Sequence, residues 1–157
     1  MNLKKIKHDP RLVELINKTN QKVLARWAID CVERFMPLFE KKYPNEKRPR
    51  DAINMLKKWI TVEVKMWDAR KYTYPVLVAA RELEKTDKAS SQIARACSHT
   101  LATCHVPIHA EGAAMYTVSA LYYLNQNKDN VNQLLEDERN WQIDHLIELR
   151  NKKFNQH

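Results

Sequence analysis

The sequence predicts an all-α fold: a single-domain bundle of about six or seven helices around a buried, nearly uncharged helical hairpin. Three observations carry this. Glycine occurs once in 157 residues, at Gly112. Hairpin and sheet turns draw on Gly at positive φ, so a chain with one Gly is a poor source of strands. Apolar residues recur at three- and four-residue steps through most of the chain, which is helical spacing. The prolines fall where such stretches would begin or end. A length of 157 residues favours one domain over two. A domain of this size buries roughly two-thirds of its unfolded surface and needs no staple. One helical domain over 1–157 is therefore expected, with its core in about 20–150 and flexible ends at 1–8 and 152–157.

Asp9-Pro10 reads as an N-cap followed by proline at the first helical position, opening a short helix through Asn17. Thr19 or Asn20 can cap the next helix. Its stripe is Leu24, Trp27, Ala28, Cys31, Phe35, Leu38 and Phe39, running to about Tyr43. Pro49 opens a third helix, with Asp51 in its first turn, where the helix dipole favours an acid. Its stripe is Ile53, Leu56, Ile60 and Val64, with Trp59 and Trp67 beside it. Asp68 offers a start for a fourth helix to about Lys85, in which Pro75 marks either the true start or a kink. Thr86-Asp87 caps a fifth helix, Lys88 to about Cys104. Pro107 restarts the chain as a sixth, to about Asn125. After a polar loop, a seventh runs from Val131 to about Lys152.

Between Arg95 and Lys128 the only formally charged side chain is Glu111. A helix without a charged face cannot meet solvent on all sides. The fifth and sixth helices are therefore expected at the centre, with Gly112 at their tightest contact. Tryptophans on or beside apolar stripes read as core rather than as a stacking platform for bases.

The formal net charge is +8. Residues 1–72 hold 18 Lys and Arg against 9 Asp and Glu, while the two signs nearly cancel in the remainder. This excess suits either an acidic partner or nucleic acid, or it reflects solvated lysines dispersed over helix faces. Three cysteines, Cys31, Cys97 and Cys104, lie in apolar surroundings. The charged start Met1-Asn2-Leu3-Lys4-Lys5 lacks the pattern of a signal peptide. No stretch offers about 20 clean apolar residues for a membrane span. A reducing cytoplasm with free thiols is the expected setting.

One place gathers groups capable of chemistry. The central hairpin holds His99, Cys104, His105, His109 and Glu111. His105 and His109 are four apart, a spacing that can place two imidazoles on one helix face for a metal. Pro107 between them argues against a continuous helix. His105 would then end one helix and His109 begin the next. These groups form either a pocket or a set of buried residues satisfying one another. Asp30 lies four residues from both Arg26 and Arg34, as in a surface ladder; alternatively it faces inward to receive Arg48 or Arg50. The chain holds no phosphate loop, H-E-x-x-H, G-x-S-x-G or zinc-ribbon spacing. No catalytic set assembles, so no enzyme and no cofactor is expected, with a metal on His105 and His109 left open.

Two groups of motifs resemble a known family. The first is Ala25-Arg26-Trp27-Ala28-Ile29-Asp30-Cys31-Val32-Glu33, Met36-Pro37-Leu38-Phe39-Glu40 and Arg48-Pro49-Arg50-Asp51-Ala52-Ile53. The second is Ala94-Arg95-Ala96-Cys97-Ser98-His99 and Ala102-Thr103-Cys104-His105-Val106-Pro107-Ile108-His109-Ala110-Glu111-Gly112-Ala113-Ala114. Over about Asn20 to Leu124 the chain is similar to a bacterial family of immunity proteins whose role is inferred largely from gene neighbourhoods. The resemblance implies a helical, non-enzymatic cytoplasmic protein that binds and neutralises a partner toxin. It marks Trp27, Asp30, Arg48, Pro49, His99, His105 and His109 as family-like positions without assigning roles. Inhibitors of nucleases are often acidic, so the basic charge of this chain argues against a nuclease target. The alternatives are a metal- or small-ligand-binding domain using the central histidines, and a nucleic-acid binder using the basic first half.

Overall fold

The computed structural model describes residue 3 and residues 8–154; most of the ends expected to be flexible lie outside these. Nine helical segments and no strands occur among the described residues. They are α1 (Pro10–Asn17), α2 (Gln21–Glu33), α3 (Met36–Lys42), α4 (Arg48–Ile60), α5 (Met66–Arg70), α6 (Thr73–Leu83), α7 (Lys88–Ala102), α8 (His109–Asn125) and α9 (Val131–Phe154). The expected six or seven helices become more because two of the expected elements are divided.

The first division is at Arg34-Phe35. The stripe from Leu24 to Phe39 keeps helical spacing, but Pro37 has no N–H to continue the ladder. It sits in the first turn of α3, where none is needed. The second separates α5 from α6. Pro75 marks a true start, lying in the first turn of α6. Asp68 does not cap a long helix; it lies in the first turn of the five-residue α5.

The third helix stops short of Val64. Val62 N–H donates to Trp59 O at 3.1 Å and Glu63 N–H to Lys58 O at 2.8 Å, a Schellman closure of α4. Val62 occupies the left-handed position with φ 63°, a place usually taken by Gly. Val64 therefore packs from a loop rather than from the helix. Elsewhere the caps are those expected. Asp9 accepts from Arg11 N–H, Asn20 from Lys22 N–H, and Asp87 from Ser90 N–H.

α7 and α8 form the centre. α7 packs on α2, α3, α4, α5 and α6, and α8 on α1, α2 and α9, so their hairpin touches every other described helix. Eleven of the fifteen residues of α7 are buried. The small residues Ala110, Ala113, Ala114 and Ala120 are buried along α8, with Thr117, Val118 and Ser119. Small side chains let the two backbones approach, and their hydroxyls bond back into the helices: Thr100 Oγ1 donates to Ala96 O at 2.7 Å and Thr117 Oγ1 to Ala114 O at 2.9 Å.

α9 is joined to the core by polar contacts as well as apolar ones. Trp27 on α2, fully buried, donates from Nε1 to Gln142 O at 2.8 Å. Gln142 Nε2 in turn reaches Ala114 O at 3.2 Å and Thr117 Oγ1 at 3.0 Å on α8. These buried donors, the Trp27 indole N–H and the Gln142 amide NH2, tie α2, α8 and α9 together and help to fix their register. At the other side, Asp87 receives Lys42 Nζ at 2.6 Å and Tyr43 O–H at 2.7 Å, clipping the end of α3 to the start of α7. Burial alone would raise the pKa of Asp87. Hydrogen bonds from Lys42, Tyr43 and Ser90 outweigh it and hold the carboxyl well below the usual range. No helix among the described residues is long and apolar enough to cross a membrane.

Candidate functional site

The elbow of the central hairpin holds the site. α7 ends at Ala102, residues 103–108 turn, and α8 begins at His109. Pro107 lies in the turn, so His105 and His109 are not on one helix face. His105 projects from the turn and is exposed. His109 faces His99 one turn back in α7, with Nδ1 to Nδ1 at 3.3 Å and ring centroids 5.3 Å apart. The ring of Tyr116, one turn further along α8 than Gly112, lies 5.0 Å from that of His99.

Two neutral imidazoles can share an Nδ1–Nδ1 hydrogen bond only as opposite tautomers, one donating and one accepting. Burial, then the neighbouring His109, then Arg95 push the pKa of His99 down to about 4. Burial and His105 lower that of His109. His99 is therefore neutral at pH 7. Whichever ring accepts at Nδ1 carries its proton on Nε2 and keeps a donor for something else.

Gly112 explains how the imidazole of His99 fits between the helices. A Cβ placed there would lie 2.4 Å from His99 Nδ1 and 2.7 Å from its Cγ. The role of the single glycine is to leave the volume that this ring fills, not to supply a turn.

The two histidines form part of the wall of a cavity of about 380 Å³. Its other walls are Arg70 from the end of α5, Thr73, Tyr74 and Leu77 from α6, Ser98 and Ala102 from α7, and His105 from the turn. Among the described residues, no carboxylate lines it. Ser98 Oγ reaches Thr73 O at 3.5 Å, and Thr73 Oγ1 is buried without a hydrogen-bond partner. The structure thus brings His99, His105 and His109 to one cavity. Among the described residues, no three His, Cys, Asp or Glu side chains are placed to hold a metal ion.

The remaining candidates lie elsewhere. Glu111 is half-buried in the first turn of α8, and its charge acts on Arg139 of α9. Arg139 is 2% exposed, and its guanidinium has no hydrogen-bond partner among the described residues. Asp30 meets Arg26 at 3.4 Å and His145 Nε2 at 2.8 Å. Arg34 turns away to Glu138 at 2.8 Å and over the ring of Trp141 at 3.8 Å. Arg50 does not reach Asp30. It bridges Glu33 and Glu40 at 2.6 and 2.5 Å, joining α2 and α3 to α4. Arg48 meets Glu46 and Glu82. The three cysteines are free and buried, and burial raises their pKa values, so they are inert thiols.

Sequence reading missed Arg70, Thr73, Tyr74 and Ser98, because no short motif connects α5, α6 and α7. It also placed Trp67 with the core, whereas Trp67 is 64% exposed and lies on Arg70, whose guanidinium carbon is 5.5 Å from its ring centroid. The available signal was positional. Val64, Trp67 and Tyr74 lie beyond the Schellman closure of α4, so the stripe that would have buried Trp67 had already ended.

Fold and site together define a class: an all-helical domain built on a small-residue hairpin, with a histidine-lined, largely apolar cavity at the hairpin's elbow. The chain belongs to the Imm-5 like putative immunity protein family, whose model matches residues 14–149. That span runs from within α1 to within α9 and contains every wall of the cavity. No curated protein and no solved structure matches the chain.

Gly112→Ala should destabilise the protein by about 1–3 kcal/mol, because overpacking against the imidazole outweighs the gain in helix propensity. In a His99→Ala background the sign should reverse, with Gly112→Ala stabilising by roughly 0.5–1 kcal/mol. Urea unfolding of the four proteins reads both values; equal effects in the two backgrounds would refute the contact.

The depressed pKa of His99 gives a second expectation. The unfolded chain binds a proton near pH 6.5 and the folded one near 4. Stability should therefore fall as pH drops through that window, by about 1–2 kcal/mol between pH 7.5 and 5. His99→Asn should remove that part of the loss. An unchanged pH dependence in the variant would show that His99 titrates normally.

Proposed function

We propose that this protein is a non-enzymatic immunity factor that binds and neutralises a partner toxin in the bacterial cytoplasm. The observation that carries the reading is membership of the immunity family over nearly the whole chain. A further observation supports it. The surface offers large exposed side chains suited to a protein contact, among them Trp67, Tyr72, Tyr74 and Ile108. The excess of positive charge favours a toxin with an acidic docking surface over one with a basic active site. The metal and nucleic-acid alternatives have no comparable support.

The test is co-expression with the products of adjacent genes in a toxin-sensitive bacterial strain. One neighbour should arrest growth alone, and growth should return when this protein is present. The two proteins should co-elute in size-exclusion chromatography. If no neighbouring product is toxic, or toxicity persists without complex formation, the reading fails.

A further inference from the structure

We infer that the cavity at the hairpin elbow is a carboxylate receptor, occupied by a glutamate or aspartate side chain projecting from the partner protein. The inference rests on the reading of the chain as a protein-binding immunity factor and assigns that binding to a particular place.

The first argument is charge. Arg70 lines the cavity and is exposed, and it makes no ion pair among the described residues. Arg11, Arg34, Arg48 and Arg50 all have carboxylate partners. The absence of any acid from the cavity wall leaves the guanidinium of Arg70 as an uncompensated charge at its edge. A planar guanidinium matches a carboxylate in two parallel hydrogen bonds.

The second is the donor set around that charge. The His99–His109 pair keeps one Nε2–H, and His105, Ser98 and Thr73 contribute further polar groups to the same wall. Leu77 and Ala102 form an apolar part of the wall. Anion-binding groups next to an apolar wall suit a short aliphatic stem ending in a carboxylate. A simple inorganic anion would leave the apolar part unused.

Trp67 and Tyr74 are 64% and 65% exposed. Trp67 lies against Arg70, and Tyr74 is itself part of the wall. Trp, Tyr and Arg are the residues most enriched at the energetic centre of protein interfaces. Their clustering at the mouth provides a platform for the surface around an inserted side chain, which a free metabolite would not need. A net charge of +8 would steer an acidic surface toward it.

The direct test is NMR on the full-length protein, following the imidazole signals of His99 and His109 and the guanidinium signal of Arg70. The probes are N-acetylglutamate N-methylamide, its glutamine counterpart, and acetate. The glutamate probe should shift all three residues saturably and perturb Trp67 or Tyr74. The glutamine probe should bind at least about tenfold more weakly, the loss expected for replacing a charge-assisted bidentate contact. Arg70→Glu, on an exposed side chain, should keep the melting temperature and lose the response. Equal binding of the two amides, or an unaltered response in Arg70→Glu, would overturn the inference. Acetate binding as tightly as the glutamate probe, with Trp67 and Tyr74 undisturbed, would overturn the assignment to a protein side chain.

A second arm uses the toxin identified by co-expression. Arg70→Glu should weaken complex formation at least tenfold and abolish protection. If the wild-type protein protects and Arg70→Glu protects equally, the cavity inference falls while the immunity reading stands. If the wild-type protein gives no protection but the glutamate probe binds as described, the immunity reading falls and the carboxylate site stands.

Discussion

The close approach of α7 and α8 is the constraint on which the rest of the structure depends. Alanines, serines and threonines along both helices let the backbones pack tightly, and Gly112 leaves room for the His99 ring between them. Because the pair is nearly uncharged and largely buried, the remaining helices bury their apolar stripes against it. α4, α5 and α6 cover α7, α1 and α9 cover α8, and α2 covers both. The architecture is a consequence of where charge is absent rather than of any single strong contact.

The same constraint creates the site. A hairpin this tight needs a turn that both helices can leave cleanly, and Pro107 enforces it by interrupting the helical ladder. The turn carries His105 outward and sets His109 against His99. α5 and α6 then close the cavity from the side with Arg70, Thr73 and Tyr74. A region whose interior is neutral thus ends at a mouth with one uncompensated cation. Several of the chain's other cations are engaged. Arg48 and Arg50 bridge helices, Arg34 clamps α9, and Lys22 lies 3.6 Å above the ring of Trp59 while donating to its carbonyl. Arg70, like Arg81 and Arg139, makes no ion pair among the described residues, but of these three it is the one that lines the cavity.

What was legible in the sequence was what local chemistry determines. Asp9, Asn20 and Asp87 cap helices because short polar side chains reach the first free amides. The run from Ala96 to Asn127, charged only at Glu111, identified the hairpin, because a surface helix carries a charged face. The misreadings have equally local causes. Pro37 lies inside a stripe of perfect spacing, and spacing carried more weight than its missing N–H. Val62 closes α4 in a conformation that favours Gly, so no glycine announced the end of the helix. The cavity was half legible. The histidines share a short stretch of sequence, whereas Arg70 and Tyr74 arrive through tertiary packing that no spacing encodes. Asp30 keeps Arg26 of the expected ladder and also meets His145, 115 residues away, rather than Arg48 or Arg50.

The central claim is that α7 and α8 form the axis of the fold and open only when the whole molecule does. Native-state hydrogen exchange measures this directly. The amides of Ile93–Leu101 and Ala113–Ala120 should be the slowest in the chain. Their opening free energy should equal that of global unfolding, and their response to denaturant should be the same. If those amides exchange by smaller openings while α2 and α4 remain protected, the hairpin is a peripheral addition to some other core, and the account is wrong.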